Sequence, residues 1–290
     1  MKKKLGDRYD GRRVRHCDPF NVIIPFVMRE RNDAQVLFDA EIDVSEVEKL
    51  IRERRKNGDT VSFLDYFVAI LVRTLSQYPR LNRFIAGRRL FARDDIRVSL
   101  VVKKEMNINT EETSIKFKFN PDDTVDDISK NIRSIVESNK GGSGDKNNTD
   151  KLVKALNKLP RFLFSFVLWF LRTTDYYGNM PKAIHELSPF HTSVFVTNFG
   201  SLGAEPIYHH IYNFGTTSIF IAFGNRRTQR VINKDGKIVE RKVMKLRFVA
   251  DERIADGYYL ATSLKYFTSL FAHPEQVEVK PEKVVEDDQI

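Results

Sequence analysis

The order of strand-like and helix-like patterns is the feature of this sequence that most constrains its fold. The two kinds of pattern do not alternate regularly, as they would in a doubly wound sheet. Apolar side chains at every second residue predict strands with one buried face, whereas spacings of three and four predict helices. The pair Asp235-Gly236 predicts a hairpin, because it supplies the positive φ values of a tight turn. These features predict an α/β fold, a two-layer sandwich in which helices pack on a mixed β-sheet.

The patterns also give bounds for the elements. The predicted strands are Val36–Asp43, Arg89–Phe91, Ile96–Val102, Ser114–Phe119, Ser193–Asn198, Ser218–Phe223, Arg230–Val239 and Lys242–Val249. The predicted helices are Val44–Lys56 with Ser45 as cap, a helix from Thr60 or Ser62 to Gln77, Val125–Ser138 with Thr124 as cap, Asp150 to about Thr174, and a last helix from Gly257. Lys140–Thr149 is rich in glycine and asparagine and is predicted to be a long surface loop, with a domain boundary as the alternative.

The 290 residues carry a formal net charge of +9 at pH 7. Such an excess attracts nucleic acid, anionic lipid or a phosphate-bearing cofactor, or it is simply solvated. It is concentrated near the N-terminus and between Arg226 and Arg247. Neither segment contains an RNA-binding signature, so we expect a solvated basic surface and no nucleic-acid partner.

Cys17 is the only cysteine, so the chain cannot form an internal disulfide, and we expect a reducing, cytoplasmic setting. No spacing of cysteine and histidine suits a metal site. The apolar run Phe162–Leu171 is too short to span a bilayer. Burial in the fold or in an oligomer is the preferred prediction, and an interfacial membrane anchor is the alternative.

The segment Phe248–Gly257, FVADERIADG, joins a predicted strand to the last predicted helix. It resembles the signature D-H-R-x-x-D-G of the chloramphenicol acetyltransferase-like acyltransferases, which include the catalytic core of the dihydrolipoyl acyltransferases of 2-oxoacid dehydrogenase complexes. Four further motifs occur in the order of that superfamily. They are Ile24–Phe26 followed by Val36–Val44 as its opening strand, Val61–Phe67 through Tyr78–Asn82 as its first long helix, Phe195–Gly200 as its "hxhoNhG" strand, and Ile219–Gly224 as its next strand.

The resemblance covers nearly all of residues 20–275 and implies a trimer with active sites between subunits. In the superfamily a histidine deprotonates the acceptor, and a serine or threonine hydroxyl from the neighbouring subunit binds the oxyanion. Thr197 occupies the hydroxyl position, beside Asn198. Asp256 is implied to hold the catalytic loop through an ion pair with an arginine, for which Arg253 is a candidate. Gly257 would allow close backbone approach.

Glu252 stands where the superfamily has its catalytic histidine. An ordinary carboxylate is a weaker base than imidazole by about two pKa units, or roughly 3 kcal/mol. Burial or a neighbouring anion can reduce this difference, so Glu252 is a candidate base, and lost catalysis is the alternative. His209 and His210, in a loop near the implied channel, are further candidate bases, with a structural or surface role as the alternative. His185 and His191 are predicted to be structural.

The sequence thus predicts a basic N-terminal arm at 1–20, an acyltransferase-like core domain at 21–275 and a charged tail at 276–290. The predicted function is transfer of an acyl group from coenzyme A or another thioester to a small acceptor at a subunit interface of a homotrimer or trimer-based assembly. The alternative is a non-catalytic homologue that serves as a trimeric scaffold or binding module. Because no lipoyl domain with its attachment lysine and no Ala/Pro-rich linker is seen, we expect activity outside a standard dehydrogenase complex.

Overall fold

A computed structural model describes residues 3–103, 112–140, 157–233 and 235–290 of the chain. The predicted loop Lys140–Thr149, apart from its first residue, and the predicted helix start at Asp150 lie outside the described residues, as does Lys234 of the predicted hairpin turn.

The strands agree with the predicted ones in most places. They are β1 (Gly11–Arg13), β2 (Gln35–Asp43), β3 (Arg83–Ala86), β4 (Arg89–Arg93), β5 (Ile96–Lys103), β6 (Glu112–Phe119), β7 (Val194–Asn198), β8 (Ile219–Ile232) and β9 (Ile238–Asp251). The helices are α1 (Pro19–Val27), α2 (Ser45–Lys56), α3 (Phe63–Gln77), α4 (Val125–Lys140), α5 (Arg161–Tyr176), α6 (Lys182–Leu187) and α7 (Gly257–Ala272). Short 3₁₀ turns follow α3 and α7.

Six strands form the main sheet in the order β2-β9-β8-β7-β5-β6. β7 lies parallel to both β5 and β8, and the other neighbours are antiparallel. A second, antiparallel sheet has the order β1-β4-β3. The prediction of an α/β protein with helices packed on a mixed sheet is therefore confirmed.

The inner face of the main sheet packs against α2, α3, α4 and α7 in one apolar core. Phe67 of α3 lies at its centre, with ring centroids 4.4 Å from Phe223 and 5.9 Å from Phe267. α3 begins with a capping box in which the Ser62 side chain accepts from the Asp65 amide while the Asp65 carboxylate accepts from the Ser62 amide. This reciprocal cap sets the start of the helix that the sequence predicts.

The outer face of the main sheet carries a separate, smaller cluster. Phe195, Phe220 and Val249 of adjacent strands pack there with Ile211. Ile211 belongs to the segment 204–214, which leaves the sheet after β7 and returns across this face before β8. Among the described residues, an irregular segment therefore covers this cluster on the outer face.

Three local predictions are wrong. The predicted strands Ser218–Phe223 and Arg230–Val239 are not separate, because β8 runs without a break to Ile232 and residues 238–239 already belong to β9. Ile24–Phe26 is part of helix α1 and not a strand, because Asp18 accepts from the Phe20 amide at 2.8 Å and Pro19 fixes the first helical turn. Ser45 does not cap α2, since its hydroxyl accepts from the Lys242 amide at 2.8 Å and so links α2 to β9.

Both terminal segments pack against the core, whereas the sequence predicts an arm at 1–20 and a tail at 276–290 outside the core domain. β1 pairs with β4, and Arg8 and Asp10 are buried. At the other end, the Asp287 carboxylate accepts from Arg83 Nε at 2.6 Å, and both side chains are almost fully buried. The backbone carbonyl of Gln289 accepts from the amides of residues 15 and 16. The two termini therefore also contact each other.

We predict that Asp287→Ala lowers the free energy of unfolding by about 3–5 kcal/mol, because it leaves the buried Arg83 guanidinium without its carboxylate. Asp288→Ala is the matched control, since Asp288 is exposed and pairs with Arg80 only at the surface. Urea titration followed by circular dichroism measures both variants. Equal, small losses would show that the tail does not contribute to the fold.

Candidate functional site

Thr197 lies on the outer face of the main sheet. Side chains alternate along β7, so Val194 and Val196 enter the core while Phe195 and Thr197 point to the other side. Thr197 is half-buried and stands in register with Ala222 of β8. Its hydroxyl makes no hydrogen bond within the described part of the chain.

His209 covers the same patch of the sheet. Its ring stacks on Phe220 at 4.4 Å between centroids and lies 5.8 Å from Phe199. Phe220 is a diagonal neighbour of Thr197 on this face, and Phe199 follows Thr197 by two residues. These contacts bring the imidazole and the Thr197 hydroxyl to one patch, which the sequence alone does not reveal.

The imidazole of His209 has the features of a neutral base. Burial lowers its pKa, and the nearby charge of His210 lowers it further. Nε2 of His209 is buried and has no hydrogen-bond partner among the described residues. His210 is exposed, with its ring 5.2 Å from that of Tyr212. Of the two predicted histidines, His209 therefore faces the sheet and His210 faces solvent.

Glu252 and Thr197 lie far apart within one chain. Thr197 is in register with Ala222 and, across β8, with Arg247 of β9. Glu252 follows Arg247 by five residues, or about 16 Å along the strand, and two strand spacings add about 10 Å across the sheet. The Glu252 side chain is exposed, and it makes no ion pair within the described residues. The two side chains therefore come together only between two subunits, with Glu252 from one subunit and Thr197 from the other.

Asp251, which precedes Glu252, organises the end of β9. Its side chain is fully buried and accepts from Arg253 Nε and one terminal nitrogen, each at 2.7 Å. Arg31 approaches the same carboxylate with Nε at 3.5 Å. The other nitrogens of Arg31 donate to the carbonyls of Tyr212, Gly215 and Ile85. Asp251 and two arginines thus join β9, β3 and the segment after α1.

The structure differs from the implied role of Asp256. Asp256 is exposed and caps α7 by accepting from the Tyr259 amide at 2.9 Å. It makes no ion pair within the described residues, and the candidate partner Arg253 binds Asp251 instead. Gly257 is exposed at the first position of α7, and nothing lies within 4 Å of the point that a Cβ would occupy. Asn198 accepts from the Ser201 amide at 3.1 Å and so shapes the turn after β7.

A cavity of about 690 Å³ lies beside this ionic cluster. Its walls come from the segment after α1, the turn between β3 and β4, the end of α5 and the segment 213–215. Arg253 is the one predicted site residue that lines it. The arginines that line it are Arg29, Arg31, Arg88, Arg172 and Arg253. The cavity is therefore strongly basic and separate from the Thr197 patch.

A buried network of ions and histidines extends from one wall of the cavity. Arg8 donates to Asp10 at 2.8 Å and to Asp175 at 2.7 Å, and Asp175 lines the cavity. His185 Nε2 lies 3.1 Å from Asp10, and His191 Nε2 lies 3.3 Å from Asp175. Both histidines are fully buried. The network fastens the N-terminal segment to α5 and α6.

Burial determines the charge of His191. It lowers the pKa of His191 to about 4, and the opposing effect of Asp175 does not offset it. Burial also opposes ionisation of Asp175, but the contacts with His191 and Arg8 outweigh it and lower the pKa of that carboxyl to about 2. At neutral pH His191 is therefore neutral and Asp175 is ionised.

Sequence reasoning missed the cavity arginines and the buried network. The network joins residues more than 160 positions apart, and no local pattern records such pairing. Arg88 follows Gly87 in the turn between β3 and β4 and has a positive φ of 58°. A strand prediction that included β3 would have identified this turn.

Comparisons with known proteins agree with this architecture. Residues 185–279 match the family model of the 2-oxoacid dehydrogenases acyltransferase (catalytic domain). No curated protein matches the chain. A probable dihydrolipoamide acetyltransferase from Listeria monocytogenes superposes with a TM-score of 0.56 and 14% identity, covering 93% of this chain and 98% of that one. The chain has the chloramphenicol acetyltransferase-like fold.

Two further structures share the chloramphenicol acetyltransferase-like fold. A chloramphenicol acetyltransferase gives a TM-score of 0.53 at 15% identity, covering 87% of this chain and 94% of that one. The cubic core of a pyruvate dehydrogenase multienzyme complex gives 0.51 at 12% identity, covering 89% and 88%. The resemblance predicted from the motifs is therefore confirmed for the fold.

The described residues contain no cluster of ligands that could hold a metal ion. Within the same residues, no helix is both long enough and apolar enough to span a bilayer. The predicted apolar run forms most of α5, and its burial within the fold is limited. Leu171 is buried, but Phe162 and Trp169 are 77% and 59% exposed.

We predict that the free energy of unfolding falls as the pH is lowered from about 6.5 to about 4. His191 has a lower pKa in the folded than in the unfolded chain, so the unfolded chain binds more protons in this range. His191 contributes up to about 3 kcal/mol of this loss, and His185, whose pKa burial also lowers, adds to it.

Urea titrations at pH 7, 6, 5 and 4 measure this dependence. The variant His191→Gln is less stable at pH 7, and its free energy of unfolding falls less steeply than that of the wild type as the pH is lowered. In His273→Gln, which replaces an exposed histidine, this fall is the same as in the wild type. An equal decline in the wild type and in His191→Gln would show that protonation of His191 is not coupled to folding.

Proposed function

We propose that the protein is an acyltransferase. It moves an acyl group from coenzyme A or another thioester to a small acceptor, in an assembly built from trimers. The observation that carries the proposal is that Thr197 and the His209 imidazole lie on the same patch of the outer face of the sheet, where His209 packs on Phe220 and Phe199. The matching family model and the shared fold support the reaction class, since the similar proteins are named as acyltransferases.

In the proposed reaction, His209 acts as the base in place of the missing histidine of the signature. Neutral imidazole removes the proton from the thiol, amine or hydroxyl of the acceptor. The acceptor attacks the thioester carbonyl, and the Thr197 hydroxyl donates a hydrogen bond to the oxyanion that forms. When the tetrahedral intermediate collapses, the C–S bond breaks and the imidazolium returns its proton to the leaving thiolate. The step needs no oxidant, reductant or metal.

In this proposal Glu252 is not the base that takes the proton from the acceptor. Its exposed carboxylate is far from Thr197 of the same chain, so it reaches an acceptor bound there only from a neighbouring subunit. The cubic core among the similar structures supports a trimer-based assembly, as does the exposed apolar surface of α1 and α5. In such an assembly Glu252 would act on the acceptor or contact the interface, while His209 moves the proton.

We predict that Thr197→Val lowers kcat for acyl transfer from acetyl-CoA by about 10²–10³-fold, because it removes the oxyanion donor with little change in shape. Thr268→Val is the control, since the Thr268 hydroxyl lies at the surface of α7 and donates only to a helix carbonyl. A thiol-release assay with a panel of thiol, amine and hydroxyl acceptors measures the rate. Equal rates in the two variants would exclude Thr197 from the reaction.

We predict that His209→Gln lowers kcat by about 10²–10⁴-fold and removes the limb of the pH–rate profile that rises with deprotonation of imidazole. Glu252→Gln and His273→Gln should retain more activity than His209→Gln. The reverse order, with Glu252→Gln the most impaired, would assign the base to Glu252. If the wild type assembles but transfers no acyl group to any acceptor, the protein is a scaffold or binding module. Sedimentation velocity reports the assembly in each case.

A further inference from the structure

We propose that the cavity between α1, the turn between β3 and β4, and the end of α5 binds a nucleoside diphosphate or a nucleotide of similar charge. The phosphates are held by arginine side chains and the base by exposed aromatic rings. This assignment goes beyond the proposed acyl transfer and does not depend on it, because it uses none of Thr197, His209 or Glu252.

The first argument is the balance of charge. Five guanidinium groups line the cavity, whereas the carboxylates near them are Glu30, Asp175 and the buried Asp251. Asp175 is neutralised by Arg8, and Asp251 is shared between Arg31 and Arg253. The cavity therefore carries a surplus of about three positive charges. An anion of two or three charges matches that surplus.

The second argument is that three of these arginines have no partner for their charge among the residues that the structure describes. Arg29, Arg88 and Arg172 are exposed, and none forms an ion pair within the described residues. Arg88 is held in place by its contact with the Phe26 ring, 5.4 Å from the centroid. Guanidinium groups bind phosphate oxygens through paired N–H donors, so three of them around one cavity suit a diphosphate.

The third argument is the position of the turn that carries Arg88. Gly87 has a positive φ of 56°, and a Cβ there would lie 2.5 Å from the carbonyl oxygen of Tyr176. The turn therefore packs directly against the end of α5. This close approach brings Arg88 of the turn and Arg172 of the helix to the rim of one cavity, which both residues line.

The fourth argument is the aromatic part of the lining. Trp169, Tyr176 and Tyr177 line the cavity with exposed fractions of 59%, 44% and 71%. Exposed rings of this kind stack on nucleobases, and this stacking stabilises the bound base. The volume of about 690 Å³ is in the range of small-molecule sites and exceeds what inorganic phosphate needs. Charge and rings together indicate a nucleotide.

The fluorescence of Trp169 gives a direct test, because Trp169 is the only tryptophan of the chain. The full-length protein is titrated with ADP, and adenosine and pyrophosphate are titrated separately. We expect ADP to change the Trp169 emission with saturation, and to bind at least tenfold more tightly than adenosine or pyrophosphate. We also expect the affinity to fall as salt is raised.

Variants locate the site. Arg88→Gln combined with Arg172→Gln should raise the Kd for ADP at least tenfold, as measured by isothermal titration calorimetry. The matched control combines Arg52→Gln with Arg55→Gln, which removes two exposed charges from α2 and should leave the Kd unchanged. Circular dichroism confirms that both double variants are folded.

Three results would overturn the assignment. The first is no fluorescence change and no heat with millimolar ADP, and the second is an equal Kd in both double variants. The third is binding to vesicles of anionic phospholipid without binding to ADP, which would assign the basic and apolar surface to a membrane instead. If the protein transfers acyl groups but does not bind ADP, this site is wrong and the proposed function stands. If it binds ADP but transfers no acyl group, the proposed function is wrong and this site stands.

Discussion

The buried contact of Asp251 with Arg253 and Arg31 is the interaction on which the rest of this molecule depends. It lies at the end of β9, and Arg253 also donates to the carbonyl of Met28 just after α1. Arg31 donates to carbonyls on β3 and on the segment before β8. A single carboxylate therefore fixes four parts of the chain, and removal of a partner from such a buried cluster is costly. The same cluster forms one side of the basic cavity and presents Glu252 to solvent.

Parts of this fold can be predicted from the sequence because local patterns record them. β2 and β6 alternate between apolar and polar residues, and their predicted bounds lie within two residues of the structure. The pair Ser62 and Asp65 marks the start of α3, because the capping box is a local interaction. α1 was missed since its apolar and proline-containing sequence is also compatible with a strand, and only Asp18-Pro19 distinguishes a helix.

The candidate site could be predicted only in part, for a physical reason. Thr197 and His209 were each identified from the sequence, but their common patch results from the path of the segment 204–214 over the sheet. The ion pairs that fasten the termini join residues more than 160 positions apart, so no local pattern contains them. The basic character of the chain was expected to be surface charge. Arg8, Arg31, Arg83, Arg93 and Arg253 are among the buried residues, so part of that charge holds the interior together.

The pairing of β2 with β9 has a consequence for biosynthesis. Residues 35–43 find their partner only at residues 243–251, and the central strand β7 needs β8 from beyond residue 218. A ribosome therefore releases most of the polypeptide before the main sheet can close, and loop closure over such separations slows folding. Until then the apolar strands stay exposed to aggregation, so a chaperone that shields the nascent chain would raise the yield of this protein.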